Sequence, residues 1–262
     1  MDKNKAVFKL KGLPPVYYLN LDEQPERMIY MESQFKYWEV KDYTRISAYD
    51  GREDDLGDIL KGRYPDAMSS GEVGCVTSHL KTMKEFLKTD APCALIIEDD
   101  CDISTVSYWG FTWKDFYSKI PYDYDVIQLA IINPAQVYAQ LHRRFVNDFS
   151  TACYLITRHH AEKLVRLHCK GEKYKLDQGA KPRAVADDLI YNSGNTFDIP
   201  LFLYKIELGS SIHDIHVNVF HKSSHEGIWQ FWKAQSQEID NWDSYFDYDP
   251  YFGRIPPGFE NK

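Results

Sequence analysis

Apolar residues recur along the chain in short runs that alternate with segments of helical period. Residues 16–20 form a β-rich run that ends on a polar side chain, which predicts a buried strand. Asp22 offers an N-cap and Pro25 suits the first turn of a helix, because apolar residues repeat at helical spacing over residues 28–38. Residues 43–46 predict a second strand.

The clearest amphipathic helix is predicted to begin at Ser70. Its apolar positions step by three or four residues and are Val73, Val76, Leu80, Met83 and Leu87. Residues 93–97 are too short for a buried helix and predict a central parallel strand, and residues 125–132 and 152–157 predict two more strands. Strands that alternate with helices in this way predict an α/β sheet with helices on both faces.

The C-terminal segment has a different character. Residues 240–262 are acidic, aromatic and proline-bearing without any period, so we expect a single domain over residues 1–239 and a tail over residues 240–262 that packs on it. No apolar run approaches the roughly 18 residues of a membrane span, the N-terminus lacks a signal-peptide core, and the five cysteines show no C-x-x-C pair. These features predict a cytoplasmic protein without a transmembrane segment.

The net charge of the chain limits the kinds of molecule that it is expected to bind. The chain of 262 residues carries 31 Lys and Arg against 39 Asp and Glu, a formal net charge of −8. A chain this acidic is a poor candidate for binding phosphate backbones through bulk charge, so we do not expect a nucleic-acid partner. The sequence is compatible with an oligomer.

Four acids follow the predicted strand at residues 93–97. They are Glu98, Asp99, Asp100 and Asp102. Alternation in an extended segment places Glu98, Asp100 and Asp102 on one face and Asp99 on the other. Open α/β sheets bind ligands at the carboxyl ends of their strands, and such acids suit Mn²⁺ or Mg²⁺ together with a nucleotide diphosphate. Asp100 belongs to both acid-x-acid pairs and is our first choice of ligand; a solvated acidic turn is the alternative.

A second motif opens the amphipathic helix. Residues 69–80 hold two glycines and small side chains that let a ligand or another element come close. Ser78 and His79 are therefore candidate binding residues. The alternative is that Gly74 serves helix packing and that His79 is a buried histidine with its hydrogen bonds satisfied.

Three of these stretches together resemble glycosyltransferase family 25, the group of lipooligosaccharide and collagen-type galactosyltransferases. They are residues 16–22 with Arg27, residues 71–79, and residues 95–100, and residues 152–157 match further along the chain. The resemblance covers roughly residues 14–200. It implies a GT-A (Rossmann-like) nucleotide-sugar-binding fold, a UDP-sugar donor, a divalent cation at the acid cluster and inversion at the anomeric carbon.

The resemblance also implies roles for individual residues. Asn20, Asp22 and Arg27 would lie near the nucleotide, and Glu98, Asp99 and Asp100 near the metal and diphosphate. The family places an acid after the second matching strand and its helix, where this chain has Asp187 and Asp188. An inverting transfer needs a base that takes the proton of the acceptor hydroxyl, so either aspartate is a candidate catalytic base. The alternative for this pair is a helix N-cap.

Histidines near the C-terminal end of the domain are the remaining candidate ligands. Many GT-A enzymes complete the metal site there, and His216 and His221 are the residues of that type, together with Asp102 nearer the acid cluster. The resemblance thus implies a metal-dependent inverting hexosyltransferase that moves galactose or glucose to a hydroxyl of a glycan or protein. The alternatives are an inactive sugar-binding module on the same fold and a different Mg²⁺ enzyme, although no G-x-x-x-x-G-K-[ST] loop is present.

Overall fold

A computed structural model describes residues 4–176, 184–208 and 221–247 of the chain. The described α-helices are α1 (Pro25–Tyr37), α2 (Leu56–Ile59), α3 (Ser70–Phe86), α4 (Trp113–Lys119), α5 (Arg158–His168), α6 (Ala186–Tyr191), α7 (Lys222–Lys233) and α8 (Trp242–Tyr245). The described strands are β1 (Val16–Asn20), β2 (Tyr43–Ser47), β3 (Cys93–Glu98), β4 (Cys101–Asp102), β5 (Val126–Gln128), β6 (His142–Arg143), β7 (Cys153–Thr157), β8 (Cys169–Lys170), β9 (Lys173–Tyr174), β10 (Thr196–Asp198) and β11 (Leu203–Tyr204).

Seven of these strands form one mixed sheet in the order β2-β1-β3-β7-β5-β10-β6. The pairs β1·β2, β1·β3 and β5·β10 are parallel, which confirms the predicted α/β class. The strand predicted as central and parallel, β3, is parallel to β1 but antiparallel to β7. β7 is also antiparallel to β5, and β6 is antiparallel to β10. The strand predicted over residues 125–132 is limited to Val126–Gln128.

A hydrophobic core lies on each face of the sheet, because successive strand side chains point to opposite sides. Tyr18 of β1 and Leu95 of β3 belong to the core that includes Phe35 of α1. Leu19 of β1 and Ile96 of β3 belong to the other, against Leu80 of α3. Helices thus cover both faces, and the central strands β1, β3 and β7 are buried along almost their whole length.

The starts of α3 and α1 differ in how well the sequence predicts them. Ser69 caps α3 in a capping box with Glu72, so the predicted helix begins where the sequence placed it. The N-cap predicted for α1 is wrong: α1 begins at Pro25, and its N-cap residue Gln24 makes no side-chain cap bond. Asp22 instead accepts hydrogen bonds from Arg45 and Ser47.

The described part of the predicted tail packs on the domain through aromatic rings. Trp242 stacks on Trp232 of α7 with a centroid distance of 6.2 Å, and Tyr245 donates a hydrogen bond to the carbonyl of Ala139. The division at residue 240 stays a prediction, and residues 248–262 lie outside the described residues. No helix in the described ranges has the length and hydropathy needed to cross a bilayer.

Candidate functional site

A cleft of about 660 Å³ opens at the carboxyl ends of β1 and β3. Its walls come from the end of β1, the start of α1, the loop after β2, the first turns of α3 and the acids after β3. The charged side chains that line it are Arg27, Asp50, Arg52, Glu98, Asp99 and Asp100. The location is where open α/β sheets bind ligands.

Asp99 is held in place by two residues from the N-terminal strand and helix. Its carboxylate accepts hydrogen bonds from Asn20 Nδ2 at 2.7 Å and Arg27 Nε at 2.8 Å, and Arg27 Nη2 lies 2.7 Å from Asp99 Oδ1. All three residues are buried. Their buried charges and amide are therefore paired, and Asp99 fixes the side chain of Arg27 at the cleft.

Asp100 has spare bonding capacity at the cleft. Its Oδ2 lies 3.1 Å from Arg27 Nη2, whereas its Oδ1 is buried and has no hydrogen-bond partner among the described residues. Burial, and then the charge of Glu98, raises the pKa of Asp100 to about 7. An unpartnered carboxylate oxygen is costly in a folded protein, so this atom marks a place for a cation or a proton.

Glu98 and His79 form a hydrogen-bonded chain across the cleft floor. His79 Nε2 lies 3.2 Å from Glu98 Oε1, and His79 Nδ1 lies 2.9 Å from the hydroxyl of Tyr154. Burial raises the pKa of Glu98, but the bonds from His79 and Thr151 outweigh it and the net pKa is lowered. His79 is thus a buried histidine with partners at both nitrogens, as the structural alternative predicted, and it holds Glu98 ionised.

The predicted alternation of the acids is wrong beyond Glu98. Asp99 and Asp100 both contact Arg27 and both line the cleft, because β3 ends at Glu98 and the chain turns there. Asp102 lies in β4, where it pairs with Leu203 and its Oδ1 accepts from the backbone N–H of Ser104. It is not among the residues that line the cleft.

Within the described residues, the structure does not group His221 with Asp100 as metal ligands. His221 precedes α7, and its carbonyl accepts a hydrogen bond from Tyr204. Over the ranges that the structure describes, no group of three or more metal-type ligand atoms within 4.8 Å of one another includes Asp100, Asp102 or His221. His216 lies outside the described residues.

Asp187 and Asp188 occupy the first turn of α6, but neither is its N-cap. That residue is Val185, so the predicted alternative of an N-cap pair is wrong. Asp187 Oδ2 accepts a hydrogen bond from the backbone N–H of Ser150, and burial raises its pKa to about 6. The charge of Asp187 interacts with Glu98 of the cleft, whereas Asp188 accepts a bond from Asn192 one turn later.

Other predicted residues contribute to the walls or lie apart from them. Ser78 accepts a hydrogen bond from the backbone N–H of Tyr49 at 2.8 Å and thereby attaches the loop after β2 to α3. Asp22 is exposed, and it is not a lining residue. The sequence pattern did not indicate that Arg52 and Thr151 belong to the site, because single polar residues in loops carry no periodic signal.

The cleft has the charge and the donor set for a divalent cation. Four acidic residues line it against two arginines, so a diphosphate entering alone would meet excess negative charge. Carboxylate oxygens are the ligands that Mg²⁺ and Mn²⁺ prefer. The free Oδ1 of Asp100 fits such an ion, and no other carboxylate among the residues that line the cleft has a buried oxygen without a hydrogen-bond partner.

Comparison with known protein families agrees with the resemblance read from the residues. The sequence profile of glycosyltransferase family 25 (LPS biosynthesis protein) matches residues 13–178, which include the ends of β1 and β3. No curated protein matches the chain. Two solved structures are similar to this chain at a low level. A197 from STIV is 10% identical with a TM-score of 0.38, over 72% of this chain and 83% of that one. The nucleoside-diphosphate-sugar pyrophosphorylase from Vibrio cholerae RC9 is 10% identical with a TM-score of 0.32, over 76% of each chain.

Proposed function

The chain belongs to glycosyltransferase family 25, and from that premise we propose that it is a metal-dependent inverting hexosyltransferase. It moves galactose or glucose from a UDP-sugar to a hydroxyl group of a glycan or protein. The observation that carries the proposal is the buried Oδ1 of Asp100, a residue that lines the cleft, since that atom has no partner among the described residues. It supplies a site for a cation where the surrounding acids would otherwise repel a diphosphate.

In this proposal, the diphosphate of the nucleotide sugar binds at the end of β3. Asp100 would hold the divalent cation, and Arg27, fixed by Asp99 and Asn20, contributes a positive charge beside it. A cation at this position would supply Lewis-acid chemistry that neutralises the charge on the departing diphosphate. Because Arg27 is already oriented by buried partners, little side-chain entropy is lost when the donor binds.

Asp187 is our choice of catalytic base. The oxygen of the acceptor hydroxyl attacks the anomeric carbon, the bond from that carbon to the diphosphate oxygen breaks, and the hydroxyl proton passes to Asp187. A carboxylate with a pKa of about 6 is mostly ionised at neutral pH and still accepts a proton more readily than an ordinary aspartate. The backbone N–H of Ser150 orients it. Asp188 accepts a hydrogen bond from Asn192 and thereby stabilises α6.

Calorimetric titration with UDP, with Mn²⁺ or with EDTA, tests the donor site. We expect Mn²⁺-dependent UDP binding by the wild type and by Asp90→Asn, an exposed acid remote from the cleft, and its loss in Asp100→Asn. Equal UDP affinity of Asp100→Asn and wild type in Mn²⁺ would contradict the proposal.

Release of UDP from UDP-galactose and UDP-glucose, with mixed glycan acceptors, then separates a transferase from a binding module. A transferase releases UDP faster when an acceptor is present. Tight donor binding without UDP release under any acceptor mixture would favour the inactive binding module instead.

A further inference from the structure

A second cluster of ligand-type side chains lies away from the cleft, at the far end of the sheet. It consists of His142 on β6, Asp198 on β10 and Asp148 in the turn between β6 and β7. His142 and Asp198 are directly opposite each other in the antiparallel β6·β10 pair. One nitrogen of His142 and one oxygen from each carboxylate all lie within 4.8 Å of one another. All three residues are at most 1% exposed.

The hydrogen bond at Nδ1 of His142 orients the ring so that Nε2 faces a carboxylate. Nδ1 lies 2.7 Å from the carbonyl oxygen of Gln140, which can only accept, so Nδ1 carries a proton and donates it. Nε2 then faces Asp148 Oδ2 at 3.5 Å. A backbone carbonyl that orients a histidine through its distal N–H is the usual outer-shell partner of a metal-binding imidazole.

Asp148 is oriented in the same way by groups outside the cluster. Its Oδ1 accepts a hydrogen bond from Asn133 Nδ2 at 2.7 Å, and its Oδ2 accepts one from the backbone N–H of Phe145 at 3.1 Å. Burial raises the pKa of Asp148, but the hydrogen bonds from His142, Asn133 and a protonated Asp198 outweigh it and the net pKa is lowered. Asp148 is therefore a preorganised carboxylate beside the imidazole.

Asp198 is the member that receives no hydrogen bond from a donor group. It is fully buried, no donor among the described residues reaches either of its carboxyl oxygens, and when protonated it hydrogen-bonds Asp148. The nearby guanidinium of Arg144 donates instead to the carbonyl of Asp148 and to Asn192 Oδ1. Burial, and then the charge of Asp148, raises the pKa of Asp198 well above its usual value. A buried carboxyl group aimed at another carboxylate needs either a proton or a cation between them.

We propose that His142, Asp148 and Asp198 bind one divalent transition-metal cation. One imidazole nitrogen with two carboxylates is a donor set suited to Zn²⁺ or Mn²⁺, whereas Ca²⁺ and Mg²⁺ prefer oxygen ligands alone. His142 Nε2, Asp148 Oδ2 and the two oxygens of Asp198 offer four donor atoms. The ion's charge balances the two carboxylates, and the complete burial of the cluster makes it a structural site that fills during folding.

The site is separate from the donor cleft and tied to the proposed base. The sheet order β3-β7-β5-β10 puts three strand spacings, about 14 Å, between the ends of β3 and β10. The chain leaving Asp148 reaches Ser150, which bonds Asp187, and Thr151, which bonds Glu98. A cation that cross-links β6, β10 and this turn therefore stabilises the segment that orients both carboxylates.

Metal analysis tests the proposal in a background that removes the competing ligands. The chain carrying Asp100→Asn and Cys75→Ser lacks the proposed donor-site ligand and a member of the Cys75, His79 and Glu98 group in the cleft. After unfolding with a chelator and refolding with Zn²⁺ or Mn²⁺, we expect one equivalent of metal by mass spectrometry and a higher Tm than in the metal-free chain. Adding Asp198→Asn should weaken binding by more than about 100-fold, since outer-shell partners alone are worth roughly 10–100-fold.

A shared proton between Asp148 and Asp198 predicts the opposite result. The amide introduced by Asp198→Asn would then donate to Asp148, so this variant would keep or raise the Tm, and neither Zn²⁺ nor Mn²⁺ would alter the Tm of the background chain. That combination overturns the proposal. X-ray absorption of the Zn²⁺-loaded background chain gives a test that needs no variant of the cluster. A nitrogen and oxygen shell with one imidazole supports the site, and a shell with several imidazoles, or with sulfur at about 2.3 Å, overturns it.

Discussion

Gly51 and Gly74 pack backbone against backbone, and neither position has room for a side chain. A Cβ on Gly51 would lie 1.8 Å from the carbonyl oxygen of Ser70, and a Cβ on Gly74 would lie 2.5 Å from the backbone nitrogen of Gly51. This contact sets the loop of residues 49–52 on the first turn of α3. Because that loop lines the cleft, the two glycines determine the shape of one wall of the proposed donor site.

We expect Gly74→Ala to displace the loop and weaken UDP binding at least about tenfold in Mn²⁺. The new methyl group would meet backbone atoms that cannot rotate away, so overpacking should cost about 1–3 kcal/mol and exceed the helix-propensity gain of Ala. Calorimetry and urea denaturation measure the two effects. Gly227→Ala in α7 is the matched control, because nothing lies within 4 Å of the place that its methyl group would take and only the propensity gain of about 1 kcal/mol remains. Unchanged donor affinity in Gly74→Ala would show that the loop is unimportant.

Arg27→Met should lower the free energy of unfolding by about 3–5 kcal/mol, because it leaves Asp99 and Asp100 buried without their shared cation. Urea denaturation at neutral pH in EDTA measures the loss. Lys88→Met removes an exposed ion pair to Glu85 and should change stability by no more than about 1 kcal/mol. Similar costs for the two variants would contradict a buried, preorganised Arg27.

The two aspartates of α6 should differ in their effect on turnover. Asp187→Asn should reduce kcat by about 10²–10⁴-fold while UDP binding stays within a few-fold, because the variant removes only the proton acceptor. Asp188→Asn changes the neighbouring acid in the same turn and should retain kcat within a few-fold. With wild type at saturating Mn²⁺ and donor, kcat should fall about tenfold per pH unit as the pH drops below about 6, the pKa of Asp187. Loss of turnover in Asp188→Asn, together with a normal kcat in Asp187→Asn, would instead identify Asp188 as the base.

Asp100 should make the metal-free protein less stable as the pH rises from about 4 to about 7. Its pKa is raised from 3.8 to about 7, so over this interval the unfolded chain releases the proton while the folded chain keeps it. Below about pH 4 both states are protonated, and the favourable contribution is complete there. In EDTA, Asp100→Asn should therefore gain stability relative to the wild type between these pH values by urea denaturation. A constant difference between the two proteins across this range would contradict the raised pKa.

Local pattern alone was enough to predict the elements that build the site. The apolar run of β1, the apolar run of β3 and the stripe of α3 appear where the sequence predicts them, because strand and helix periods are properties of consecutive residues. The acids after β3 are also evident from the sequence, because they directly follow an apolar run of strand length. The different roles of these acids are not evident from the sequence. Asp99 is saturated by Asn20 and Arg27, whereas Asp100 keeps a free oxygen, and the partners of Asp99 lie 79 and 72 residues away in the chain.

Tertiary packing decided everything that depends on residues distant in the chain. The direction of β7 is one case, because an apolar strand buried on both faces has the same pattern whether it runs parallel or antiparallel. The assembly of His142, Asp148 and Asp198 is another, since a register pair between β6 and β10 brings together side chains that no spacing in the sequence connects. The sequence determined which residue types stand at strand ends, and the fold determined which of them face each other.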